Sequence, residues 1–129
     1  MTSVPVLLYH HIAPDREVTP EGFGRQLEWL AANGCRTLSI QQLRDHLSGA
    51  KPAPDGSVVV TFDDGYADNW VYAFPLLKRR RMKAVVFVVT GLGGEAREAR
   101  PTSEEGGTLR DTVTGERDPQ GFLNWAELE

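Results

Sequence analysis

Residues 58–66 read V-V-V-T-F-D-D-G-Y, and this stretch constrains the chain more than any other. A run of β-branched and aromatic residues predicts a buried strand over Val58–Phe62, which delivers Asp63 and Asp64 at its C-terminal end. That edge is where α/β folds keep their chemistry. Neighbouring side chains on a strand point to opposite faces, but the glycine at position 65 allows a sharp turn that can bring both acids to one mouth. Two carboxylates so placed can bind a metal, move protons, or do no more than shape an Asp-Gly turn.

The flanking sequence supplies the rest of an α/β pattern. Val4 to Tyr9 is a compact apolar run that ends in His10-His11-Ile12 and predicts a central or first strand. Thr19 offers an N-cap and Pro20 suits the first helical position, with Phe23, Leu27, Leu30 and Ala31 at helical spacing before Asn33-Gly34. A short strand over Cys35–Leu38 follows, and Ser39 with Gln42 forms a capping box for a helix to about Leu47. After the Asp-Asp-Gly turn, Trp70, Val71, Phe74 and Leu77 mark a third helical stretch that Pro75 should bend or restart. Lys83 to Val89 is apolar with almost no alternation, which predicts a strand buried on both faces.

The order β-α-β-α-β-α-β argues for parallel β-α units, in a barrel or a doubly wound sheet. Residues 1–89 read as this core, 90–121 as a long surface loop poor in apolar residues, and 122–129 as the start of a helix capped by Asn124 and Glu127. A domain whose sequence ends as a helix begins reads as the N-terminal part of a larger one. Four strands are also too few to close a barrel, so the last strand should present an open edge and a route to self-association.

Composition removes several classes. The net charge of -4 gives no general attraction to nucleic acid or anionic lipid, and Lys78 to Arg81 reads as the solvated end of a helix. One cysteine permits no internal disulfide. The N-terminus carries no signal-peptide pattern and no apolar run reaches membrane-spanning length, so the expected location is cytoplasmic.

His10, Asp63 and Asp64 all stand at C-terminal strand ends, so in a parallel fold they share one rim and offer imidazole and carboxylate for acid-base hydrolysis. The T-F-D-D-G-Y motif after a hydrophobic strand, with L-L-Y-H-H-I upstream, resembles the polysaccharide deacetylase (NodB-homology) family, carbohydrate esterase family four. The likeness is to its circularly permuted branch, which includes the poly-N-acetylglucosamine deacetylases. The F-P-L-L, A-V-V-F-V and F-L-N-W-A-E-L segments follow that branch in order and spacing.

The resemblance implies a distorted β/α barrel, here an N-terminal portion, and metal-dependent removal of acetyl groups from an acetylated glycan. It implies Asp63 as general base, His10 as general acid, Asp64 as a metal ligand, and a variable position at His11. It further implies a divalent metal, commonly zinc, held in part by a closely spaced histidine pair. This chain has no histidine after His46, which is expected to be a surface residue, so metal binding by the chain alone should be weak or absent. The alternative reading is a non-catalytic module that binds glycan or a partner chain. Phosphatases of the haloacid dehalogenase type require Asp-x-Asp after the strand, whereas these acids are adjacent.

Overall fold

The computed structural model describes residues 3–94, 96–109 and 121–129. Its centre is a parallel sheet of β1 (Val6–Tyr9), β2 (Arg36–Thr37), β3 (Ser57–Asp64) and β4 (Val85–Val88). The core strand β3 pairs with β1 along Val59–Phe62, with β4 along Thr61–Asp64, and with β2 at Ser57–Val58. Because Thr61 and Phe62 pair with both β1 and β4, those two strands lie on opposite edges of β3. The chain is therefore α/β, with all four strands parallel, as its pattern predicts.

The helices begin where local chemistry offers caps. Thr19 accepts a hydrogen bond from the Gly22 N–H at 3.1 Å, and Pro20 opens α1 (Pro20–Ala32) without sacrificing an intrahelical donor. Ser39 and Gln42 satisfy each other's backbone N–H groups at 2.9 and 3.2 Å at the start of α2 (Ile40–Leu47). The third stretch begins as a π-helix, Asn69–Ala73, and restarts as α3 (Phe74–Arg79), with Pro75 in its first turn where a missing N–H costs nothing. Asn124 and Glu127 cap α4 (Trp125–Leu128) in the same reciprocal way.

One face of the sheet carries the core. Val58, Val60 and Phe62 meet Phe23, Leu27 and Leu30 of α1 and Val71, Ala73 and Leu77 of the third stretch. Phe23 stands edge-on to Tyr9 with ring centroids 5.1 Å apart, and to Phe62 at 5.7 Å. Burial of side chains such as Phe23, Leu27 and Phe62 contributes roughly 1.5–3 kcal/mol each. The same packing desolvates the Tyr9 phenol and raises its pKa above the ordinary tyrosine value.

Two sequence expectations are corrected. The apolar run of β4 is not buried on both faces: Phe87 is 56% exposed, and it shares the face opposite α1 with Val6 and Leu8, 56% and 58% exposed. Composition reports what a parallel sheet is built to have covered, whereas on this face only the central strand is covered, with Val59 and Thr61 buried between the exposed side chains of β1 and β4. Of the two placements expected for the first strand, central or first, it takes the outer one, since β1 pairs only with β3 among the described residues. His46 is buried, not superficial, because its Nδ1 accepts the Ala53 N–H at 3.0 Å across the loop after α2.

The expected loop of residues 90–121 also contains more structure than its composition suggests. Short 3-10 turns occupy Thr90–Leu92 and Ser103–Glu105, and Thr102 is buried. The Thr102 N–H and hydroxyl donate to the Glu105 carboxylate and hold that acid below the ordinary glutamate pKa. Residues 110–120 of that expected loop lie outside the described residues.

Candidate active site

The strand β3 continues two residues beyond Phe62, because β4 pairs Phe87 with Asp63 and Val88 with Asp64. The chain then turns with two consecutive left-handed residues, Asp64 at φ +72° and Gly65 at φ +68°. Aspartate tolerates that region better than most side chains, but it still stores about 1 kcal/mol or more, a kind of strain concentrated at functional sites. Glycine is required next to it on two counts. A Cβ at position 65 would meet Val88 Cγ1 at 3.2 Å and Val88 Cα at 3.3 Å, in addition to the left-handed conformation. Gly65→Ala is therefore expected to cost about 1–3 kcal/mol and to push β4 away from Asp64. An unchanged urea midpoint for that variant would contradict the account.

The turn brings the acids together with the histidine that follows β1. His10 Nε2 lies 3.8 Å from Asp63 Oδ2 and 3.9 Å from Asp64 Oδ2, all three at one rim of the sheet. Their side chains are 51%, 34% and 43% exposed, so their mutual attraction is screened and worth at most ~1 kcal/mol. Such a group contributes little to folding. It presents a proton donor or acceptor and two carboxylates to whatever enters from solvent.

Beneath this rim is a buried layer that sequence reasoning missed. His11 Nδ1 is 2.6 Å from Asp68 Oδ2, within hydrogen-bond distance. Asp68 Oδ1 accepts from the Ile12 N–H at 3.1 Å, and Asn69 Nδ2 donates to the His10 carbonyl at 2.8 Å. The Tyr66 ring stacks on His11 with centroids 3.6 Å apart and on Phe122 at 5.3 Å. The Leu123 N–H closes the layer by donating to the Gly65 carbonyl at 2.8 Å. The available sequence signal was the polar pair Asp68-Asn69 directly before the apolar W-V-Y-A run, since polar groups in such a setting need partners.

The donor set does not fit a resident catalytic zinc, which takes three protein ligands. Among the described residues no group of three or more His, Cys, Asp or Glu side chains could hold a metal ion. Of the chain's three histidines, His11 is engaged by Asp68 and His46 by Ala53, which leaves His10 beside the two acids.

Residues 50–111 match the family model for polysaccharide deacetylase. YxkH of Bacillus subtilis (strain 168) is 36% identical over 88 residues, covering 67% of this chain and 32% of YxkH. The chain belongs to the polysaccharide deacetylase family. The poly-beta-1,6-N-acetyl-D-glucosamine N-deacetylase of Escherichia coli (strain K12) is 43% identical over 60 residues, 46% of this chain and 9% of that protein. The solved structure of IcaB from Ammonifex degensii superposes with a TM-score of 0.67 at 33% identity, covering 79% of this chain and 46% of that one. The Escherichia coli relative is by name one of the poly-N-acetylglucosamine deacetylases that the Tyr-His and Asp-Asp-Gly motifs resemble, and the fold is the α/β architecture of NodB-type deacetylases. The chain spans less than half the length of each of these relatives. No helix among the described residues is long and apolar enough to cross a membrane.

Proposed function

We propose that this chain carries the acid-base half of a polysaccharide deacetylase site that hydrolyses the acetamido group of N-acetylated sugar residues. The observation that carries the reading is the convergence of His10 Nε2 on Asp63 and Asp64, at 3.8 and 3.9 Å, in a chain of this family. Asp63 takes a proton from the water that attacks the acetyl carbon. His10 gives a proton to the nitrogen as the carbon–nitrogen bond breaks, so that acetate and a free amine leave. A β-linked N-acetylglucosamine polymer is the substrate class we favour, in view of the Escherichia coli relative.

Asp64 is the one side chain we assign to a divalent metal, with zinc implied by the family resemblance. Its remaining ligands would have to come from outside the described residues.

The test combines zinc calorimetry with acetate release from N-acetylglucosamine oligomers. The 129-residue chain should show no tight stoichiometric zinc isotherm and no acetate release. Extension by a segment bearing the histidine pair of the permuted branch should produce both. An extended protein that binds zinc and glycan yet releases no acetate would overturn the deacetylase reading in favour of a glycan-binding module.

A further inference from the structure

We propose that Asp68 and Asn69 are positioning residues that aim His10 at the acidic pair, an inference that rests on the reading of His10 as the proton donor. The His10 side chain is half exposed, and its approaches to Asp63 and Asp64, 3.8 and 3.9 Å, are too long to be hydrogen bonds. Its direction must therefore come from its backbone.

That backbone is held at three successive residues. The His10 carbonyl accepts from Asn69 Nδ2 at 2.8 Å, the His11 ring bonds Asp68 Oδ2 at 2.6 Å, and the Ile12 N–H donates to Asp68 Oδ1 at 3.1 Å. Asn69 Nδ2 also donates to Asp68 Oδ1 at 3.0 Å, which ties the two clamping side chains into one unit. The Asp68 side chain is 1% exposed and Asn69 is 5% exposed, so these bonds form where water does not compete.

The clamp also lies at an informative place in the chain. Asp68 and Asn69 follow directly on the turn that carries Asp63, Asp64 and Gly65, while their partners stand 56 to 59 residues earlier, after β1. One short segment thus presents the carboxylates and grips the strand end that presents the imidazole. The separation between acid and base is set within the seven-residue segment Asp63 to Asn69, not by packing across the whole domain. Asn69 Oδ1 is buried without a hydrogen-bond partner, so this amide works here through its donor. An aspartate here would place an oxygen against the His10 carbonyl and repel it.

The experiment is NMR on the 129-residue chain, comparing wild type with Asn69→Leu, similar in size but without a donor. Wild type should show a single His10 rotamer with an NOE from the ring to Asp63. In Asn69→Leu the ring should sample its other staggered wells, and the NOE should fall to about a third, while core amide resonances keep their positions. An NOE unchanged in a folded Asn69→Leu chain would overturn the proposal whether or not the protein deacetylates anything. Conversely, an inactive protein with the expected NOE loss would sink the deacetylase reading and leave the clamp intact. Asn69→Asp is the second variant, with the same expected loss. Failure of both to fold would assign the pair a structural role and also overturn the inference.

Discussion

Replacing Arg100 by alanine is expected to remove about 3–5 kcal/mol of folding stability, because it strands a buried carboxylate. The Glu127 side chain is fully buried, and Arg100 Nη1 reaches its two oxygens at 2.9 and 2.7 Å. Glu127 also accepts the backbone N–H of Arg100 and of Asn124, both at 3.0 Å, so its lone pairs are fully used. The guanidinium serves a second purpose, since Arg100 Nη2 donates to the Phe122 carbonyl at 3.0 Å. The Arg100 carbonyl in turn accepts the Trp70 indole N–H at 2.7 Å. One residue thereby ties the segment after β4, the π-helix and α4 together. Removing the cation leaves an uncompensated charge in a low dielectric, whereas an exposed pair such as Arg79–Glu104 contributes far less. Against a typical total of 5–15 kcal/mol, such a loss leaves the chain marginal at ambient temperature. Urea unfolding decides the point: a loss below about 1 kcal/mol would place this pair with ordinary surface ion pairs.

What the sequence could predict follows from the range of the interactions involved. Caps at Thr19, Ser39 and Asn124 involve partners three residues away, and each was readable from residue types alone. The strand carrying Asp63 and Asp64 was equally clear, because an apolar run followed by Asp-Asp-Gly has few alternatives. The exposure of Phe87 could not be read, since an apolar strand records what a sheet requires and not which of its faces the described residues cover. The bonds from Asp68 and Asn69 to residues 10–12 span more than fifty residues, with no periodicity to announce them. Arg100 sits in a stretch of Gly, Glu, Arg and Thr whose composition resembles that of an unstructured loop, yet a single buried partner fixes it. For the site, the strand-end rule brought His10 to Asp63 and Asp64. The turn that brings them together also needs the left-handed conformation of Asp64, which an aspartate does not announce in the sequence as Gly65 does.

In the extended, metal-binding form described above, Asp63→Asn is expected to lower turnover by about 10²–10⁴-fold without loss of the zinc isotherm. The substitution keeps the size and hydrogen-bonding reach of the side chain but removes the oxygen that can take a proton. Because Asp63 is 34% exposed and makes no short hydrogen bond to His10, little folding energy is at stake. Asp64→Ala should behave differently and abolish zinc binding, since it removes the one carboxylate assigned to the metal. His10→Gln should reproduce the turnover loss of Asp63→Asn with the metal retained. Groups that act in one proton-transfer sequence are not additive, so the Asp63→Asn/His10→Gln double variant should be little worse than the more damaged single variant. Multiplicative losses in the double variant would separate the two residues into independent roles. Retention of turnover within about tenfold by Asp63→Asn would remove it as the base and transfer that role to Asp64, the only other carboxylate facing His10 in the described structure.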